Sequence, residues 1–244
     1  MKTRTKSELV NPSITIITVN FNDVDGLERT INSVFEQDYI NYHYLIIDGE
    51  STDGSVELIE NIQNDSLVKI VEKDFGIYHA MNKAIGFSKS EWLLFMNAGD
   101  TFYSKSSLSS VMENVKDEVD AIYADWVYLF SEKKVSASKK KMNVRHQSII
   151  YRKKLHETYG TYIVSPIVTI SDYIFFLSIS KLNWHYHDKP LSICDETGVS
   201  SKVSHFFQRI AVDYIFNRRD KSRTVFILLF YPIYRFLKKL INYF

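Results

Sequence analysis

A chain of 244 residues with 45% hydrophobic content can bury one substantial core, alone or with a small subdomain. Its formal charge of +1 argues against a protein that works by wrapping nucleic acid, which needs a broad excess of Lys and Arg. The single cysteine, Cys194, cannot close an internal disulfide, and the opening MKTRTKSELV has no apolar signal-peptide core, so a cytoplasmic location is the expectation.

In chain order, Ser13 to Val19 is a β-branched apolar run that predicts a strand buried on both faces, ended by Asn20, Phe21, Asn22 and Asp23. Leu27, Ile31, Val34 and Phe35 follow at helical spacing, and His43 to Ile47 forms a second strand closed by Asp48 and Gly49. The turn Gly49 to Ser55 leads into a helix marked by Val56, Leu58, Ile59 and Ile62; Asp53 and Ser55 read as caps there, and Asp23 or Asp25 as the first helix cap. A third strand is expected over Leu67 to Val71, a helix over Ile77 to Phe87, a fourth strand over Trp92 to Met96 and a helix over Ser107 to Val115. This alternation predicts an α/β fold with a mainly parallel sheet and helices on both faces. Beyond about Asp120 the pattern becomes α+β: extended chain over Ala121 to Phe130, a polar basic loop over Ser131 to Lys141, and a strand over Gln147 to Tyr151.

In open α/β sheets ligands bind beyond the carboxyl ends of the strands, where loops and helix N-termini converge. The residues standing there are Asn20 and Asn22, Asp48, Asp74, and Asn97 with Asp100. Asp and Asn also favour turns and caps, but Asp48 and Asp100 close long apolar strands and open no helix. Neither G-x-G-x-x-G after the first strand nor G-x-x-x-x-G-K-[ST] occurs, which disfavours dinucleotide binding and P-loop hydrolysis. A nucleotidyltransferase would carry a Gly-rich basic loop where VNFND stands. A carboxylate can accept hydrogen bonds from a base or ribose, and a second can bind Mg²⁺ or Mn²⁺ bridging a diphosphate.

The segments ITVNFN, LIIDGESTDGS, DFGIYHAMNKAIG and WLLFMNAGD resemble, in order and spacing, the signature segments of GT-A fold glycosyltransferases of family 2, over roughly residues 13 to 105 and more weakly to about 200. The resemblance implies donor contacts from Val19, Asn20, Asn22, Asp48, Asp74, Asn82, Lys83 and Asn97, with Asp48 on the base and Tyr78 flanking the donor. Asn97 to Asp100 stands where the family's Asp-rich metal motif lies; only Asp100 is acidic, so it would carry Mg²⁺ or Mn²⁺ nearly alone, helped by waters and phosphate oxygens. The NAGD form is similar to that of bacterial capsule and colanic-acid enzymes. Asp172 resembles the family's base, with Ser171 replacing an acidic neighbour, and an N-cap role is the alternative. Arg145-His146-Gln147 resembles a His-Gln segment of many relatives, which makes His146 a possible substrate contact. Ser200, in Glu196 to Ser200, resembles a segment that closes over the donor, although a surface turn explains it equally. Gln208-Arg209-Ile210 departs from the Gln-x-x-Arg-Trp of processive synthases, pointing to single-sugar addition, and His185 with His187 would make a zinc pair only with a third ligand.

From Ser204 to Phe244 basic residues alternate with Phe, Ile, Leu and Tyr, and the apolar run Val225 to Tyr234 is shorter than a bilayer span and contains Pro232. An interfacial anchor for a lipid-linked acceptor is favoured over a helix packed on the core or in a homodimer interface. The expected organisation is a tail over 1–12, a catalytic unit over 13–204 divided at 115/116 into nucleotide-sugar and acceptor halves, and an amphipathic helical segment over 205–244. The expected activity is inverting transfer of one sugar, UDP-linked by the family's weight, by a cytoplasmic enzyme peripheral on the membrane. A catalytically weakened nucleotide-sugar-binding scaffold is the alternative.

Overall fold

The computed structural model describes residues 14–64, 67–196 and 203–241. The first half alternates β1 (Ile14–Asn20), α1 (Val24–Phe35), β2 (Tyr42–Asp48), α2 (Ser55–Asn61), β3 (Leu67–Val71), α3 (Ile77–Phe87) and β4 (Trp92–Phe95), followed by the short β5 (Thr101–Phe102) and α4 (Ser107–Met112). The second half contributes β6 (Ala121–Tyr128), β7 (Lys134–Val135), β8 (Ile149–Arg152), α5 (Leu155–Tyr159), α6 (Ser171–Ser178), β9 (Trp184–Cys194), α7 (Val203–Ile215) and α8 (Lys221–Ile241).

All strands join one sheet in the order β3-β2-β1-β4-β8-β6-β9-β5, with β7 paired to β6. The first four strands are parallel, as their alternation with helices predicts. In the second half, where the sequence pattern becomes α+β, β8 runs antiparallel to both β4 and β6, while β6 and β9 pair in parallel. Because β8 reverses between them, β4, β6 and β9 point the same way. The carboxyl ends of β1, β2, β3, β4, β6 and β9 therefore share one edge, and the ligand-binding edge spans both halves of the chain.

Every residue of β1 is buried, which is why its sequence lacks polar alternation. Ile14 and Ile16 face a core with Leu27, Ile31 and Val34 of α1, Ile59 of α2 and Leu108 of α4. Ile17 and Val19 face the other core, with Met81 and Ala84 of α3 and Phe175 and Phe176 of α6. Helices thus cover both faces, and truncating a fully buried residue such as Leu27 to Ala would cost about 2–5 kcal/mol.

Two expected elements change. Gln147 to Tyr151 is not one strand: His146–Ser148 is a 3-10 turn closed by Ser148 N–H donating to Arg145 O, and β8 starts at Ile149. From this turn the Gln147 amide reaches Asp100. Helix α4 stops at Met112, and Asn114 and Val115 continue as tight turns.

The cap expected at Asp23 is present, whereas at α2 the cap position is Gly54, at φ 100°, and Ser55 is the first helical residue. Asp23 caps α1 by accepting from Gly26 N, where any Cβ would lie 2.0 Å from the Asp23 carboxylate. Asp53 Oδ1 accepts from Ser55 N and Oγ at the start of α2, and its Oδ2 accepts from Val24 N at the start of α1.

The C-terminal helices behave differently from one another. Helix α7 docks on the second half: Gln208 accepts from Thr169 N, Arg209 donates to Met142 O and lies over the Tyr173 ring, and Ile210 is buried. Helix α8 leaves Val225, Phe226, Leu228, Leu229 and Phe230 exposed. Among the described residues no helix is long and apolar enough to cross a membrane.

Candidate active site

The β1–β2 register places Asn20 beside Asp48. Asn20 Nδ2 donates to Asp48 Oδ2 at 2.7 Å, Ser51 N donates to Asp48 Oδ1 at 2.7 Å and Ser51 Oγ donates to Oδ2 at 2.8 Å. Asp48 is 0% exposed, so its carboxylate organises the loop after β2. Ser51 also accepts from Asn22 N, and Asn22, at φ 53°, accepts from Thr52 N, which laces the loops after β1 and β2 together. Asn20 Oδ1 is buried with no partner among the described residues, an acceptor left over at this edge. The Val19 side chain faces the core, and its carbonyl accepts from Ala98 N.

Asp74 stands beside this loop, its Oδ2 3.5 Å from where a Gly49 Cβ would be. Its Oδ1 is 2.6 Å from Lys83 Nζ, which also pairs with Glu72. Asn82 is turned elsewhere: its amide donates to Tyr162 O and accepts from Tyr162 N, joining α3 to the second half.

The other strand-end residues converge on a second cluster. Asp100 N donates to Asn97 O, and Gly99 between them sits at φ 91°, a backbone conformation that side chains rarely adopt. Thr30 Oγ1, on the buried face of α1, lies 2.7 Å from Asp100 O and 3.2 Å from Asn97 O, so its single proton serves the turn from below. Asp100 is 4% exposed; Gln147 Nε2 donates to its Oδ2 at 2.7 Å and Asp195 N to its Oδ1 at 2.9 Å. Burial pushes the Asp100 carboxyl up to about 6 against those hydrogen bonds, so its anion is poorly solvated and favours a nearby cation.

His146 bridges this turn to Asp172. Its Nδ1 lies 2.9 Å from Asp172 Oδ2, and its Nε2 lies 2.9 Å from Asn97 Nδ2. With a carboxylate on Nδ1, that nitrogen carries the proton, and Nε2 accepts from Asn97. This sets the Asn97 amide so that Oδ1 has no protein partner, and Gln147 Oε1 is likewise buried without one among the described residues. The Asp100 carboxylate and these amide oxygens are a hard, oxygen-only set, the kind that suits Mg²⁺ or Mn²⁺ completed by water and phosphate. Among the described residues no three His, Cys, Asp or Glu side chains converge for a metal. His187 instead contacts Ser110 and Asn114 behind the sheet, so it forms no zinc pair with His185.

Asp172 lies inside α6, where Ile170 holds the cap position, so the alternative reading as an N-cap does not apply. Tyr78 Oη donates to its Oδ1 at 2.7 Å, on the opposite carboxylate oxygen from His146. Burial alone would raise its carboxyl; the hydrogen bonds from His146, the Tyr78 hydroxyl and the Tyr173 backbone outweigh that and hold it at about 2. Ser171 Oγ accepts from Ile163 N. Ser200 falls outside the described residues.

Asn97, Asp100, His146 and Asp172 are thus brought into one hydrogen-bonded network. Asn20, Asn22 and Asp48 form the adjoining one, and Asn82 belongs to neither. Two members carried no sequence assignment. Gln147 was visible only as the neighbour of His146, and Asp195 follows the carboxyl end of β9, where the strand-end rule would have selected it had β9 been delimited.

The profile of Glycosyl transferase family 2 matches residues 15–175. The PGL/p-HBAD biosynthesis glycosyltransferase of Mycobacterium bovis (strain BCG / Pasteur 1173P2) is 28% identical over 166 residues, 62% of this chain and 63% of its own length. The putative teichuronic acid biosynthesis glycosyltransferase TuaG of Bacillus subtilis (strain 168) is 28% identical over 105 residues, 42% of this chain and 41% of its own. The chain therefore spans less than two thirds of the curated relatives it matches. Among solved structures, S. aureus TarS 1-349 in complex with UDP-GlcNAc gives a TM-score of 0.68 at 15% identity, over 87% of this chain and 69% of that one. The mannosyltransferase PcManGT from Pyrobaculum calidifontis in complex with GDP-Man and Mn2+ gives 0.65 at 18%, over 86% and 66%. At these identities the likeness establishes the GT-A fold. With its profile spanning well over half of the sequence, the chain belongs to glycosyl transferase family 2.

Proposed function

We propose that this protein is an inverting glycosyltransferase that moves one hexosyl or N-acetylhexosaminyl unit from a UDP-linked donor to a hydroxyl of a lipid-linked or surface-polysaccharide acceptor. The observation that carries the reading is the placement of Asp172 and Asp100 in one network, joined through His146, Asn97 and Gln147 at the edge where the parallel strands end.

In this reading the loops after β1 and β2, laced through Asn20, Asn22, Asp48 and Ser51, shape the nucleoside pocket, and Asp74 with Lys83 borders it. Asp100, with the amide oxygens of Asn97 and Gln147, would hold Mg²⁺ or Mn²⁺, which would supply neutralisation of diphosphate charge. Asp172 takes the acceptor proton as the acceptor oxygen bonds to the anomeric carbon and the bond from that carbon to the phosphate oxygen breaks. Tyr78 and His146 hold the carboxylate in its charged form and in one orientation.

Polysaccharide or glycolipid acceptors are supported by the names of the relatives. A peripheral membrane site is supported by the exposed apolar residues of α8 beside Arg218, Arg219, Lys221 and Arg223. A second reading, a nucleotide-sugar-binding scaffold, draws on the single carboxylate of the metal turn. Screening a panel of nucleotide-sugars for metal-dependent hydrolysis separates the two: turnover of at least one donor supports the transferase, and tight binding of donor and Mn²⁺ with no turnover on any donor or acceptor supports the scaffold.

A further inference from the structure

Arg145 stands immediately before the turn that carries His146 and Gln147, at the edge where β6 ends in Tyr128 and β9 in Cys194. Its guanidinium lies 5.1 Å from the Tyr128 ring centroid and 5.9 Å from that of Trp126, and its Nη2 donates to Tyr128 Oη at 3.2 Å. Among the described residues Tyr128 is its only hydrogen-bond partner, and no carboxylate forms an ion pair with it. The nearby Asp100 is engaged by Gln147 and by Asp195 N–H, although its charge and that of Arg145 act on each other.

A guanidinium taken partly out of water is disfavoured unless an anion meets it, and aromatic faces recover only part of the lost hydration. Its fork retains N–H donors matched to the paired oxygens of a phosphate. Charge points the same way. A divalent cation on one carboxylate leaves a single positive charge against the two negative charges of a nucleotide-sugar diphosphate, and one arginine supplies the difference.

Resting on the donor reading above, we propose that Arg145 is the protein's own diphosphate-binding cation. It receives the donor's phosphate oxygens alongside the cation at Asp100. When the bond between the anomeric carbon and the β-phosphate oxygen breaks, the electron pair stays on that oxygen and Arg145 stabilises the new charge, while the acceptor proton goes to Asp172. The single carboxylate of the metal turn and this arginine are then two parts of one arrangement.

The test is calorimetry on the full chain with uridine, UMP and UDP, each in EDTA and in Mn²⁺, and with the guanosine series in parallel. The wild type should bind the nucleoside diphosphate at least about ten-fold more tightly than the nucleoside even in EDTA. Arg145→Gln should reduce that ratio to within about two-fold while binding the nucleoside as the wild type does. Arg145→Lys, which keeps the charge and loses the fork, should fall between and provides a second reading if the Gln variant does not fold. An Arg145→Gln variant that keeps the full ratio in EDTA would overturn the proposal. A wild type that binds no nucleoside or nucleotide of either series would overturn the donor reading, and this subsite with it.

Discussion

His146 Nδ1 lies 2.9 Å from Asp172 Oδ2 while the opposite nitrogen of the same ring lies 2.9 Å from Asn97, so one imidazole ties α6 to the turn after β4. The carboxylate proposed to take the acceptor proton is therefore oriented by the segment proposed to hold the donor. Replacing Asp172 with Asn preserves shape and removes the base. We expect transfer to fall by on the order of 10³-fold or more, with UDP affinity within about two-fold of wild type by calorimetry. A variant that keeps most of its turnover would rule Asp172 out as the base.

The low value of Asp172 has a direction that can be checked. Tyr78 and His146 face it directly, and Tyr151, Tyr162 and His205 stand near enough to share its field. Removing His146 leaves burial as the dominant influence, so the carboxyl rises and the base form is lost at higher pH. His146→Ala should therefore shift the acid limb of kcat/KM to higher pH. His146→Asn, which retains a donor near the Nδ1 position, should shift it less. An unchanged limb in the Ala variant would mean that Asp172 does not govern the rate.

Asp100 carries the opposite sign. Its carboxyl rises from an ordinary 3.8 to about 6 on folding, so its contribution to stability is present below about pH 4 and lost as pH rises through 6. Above that the penalty is on the order of 3 kcal/mol. Asp100→Asn relieves it, since Gln147 can rotate its amide to match. The variant should melt a few degrees above the wild type at pH 8, with the gap closing near pH 4. Mn²⁺ should raise the wild-type midpoint and leave the variant unmoved, both read by differential scanning calorimetry.

Helix α8 offers a separate test. Vesicles containing anionic lipid should carry the full chain to the top of a flotation gradient, and a Phe226→Glu, Leu229→Glu double variant should remain at the bottom with donor hydrolysis intact. High salt should weaken flotation, because the basic residues of the segment contribute through screened charge. A double variant that still floats would indicate that another surface meets the lipid.

The first half of the fold was legible because parallel strands covered on both faces leave uninterrupted apolar runs: β1 and β4 fall within a residue of where Ser13 to Val19 and Trp92 to Met96 place them. The second half was less so. Strand β9 includes Asp188, Lys189 and Pro190 at a register shift against β6, and β8 begins only after Gln147 has bent the chain toward Asp100. Side-chain pairing was the least legible. Nothing in the spacing of Asn82 reveals that its amide reads the backbone of Tyr162, a residue 80 positions away, and only in three dimensions does Arg145 show no ion pair among the described residues.

Asp53 ties the starts of two helices with one carboxylate, accepting from Val24 N at α1 and from Ser55 N at α2. The two loops it ties are those also laced by Ser51 and Asn22. Nucleotide preference in such a pocket is therefore not a property of either loop alone. A chimera made to change it should transplant residues 20–26 and 49–55 as one cassette, because a single exchanged loop would meet a partner whose anchor points no longer match.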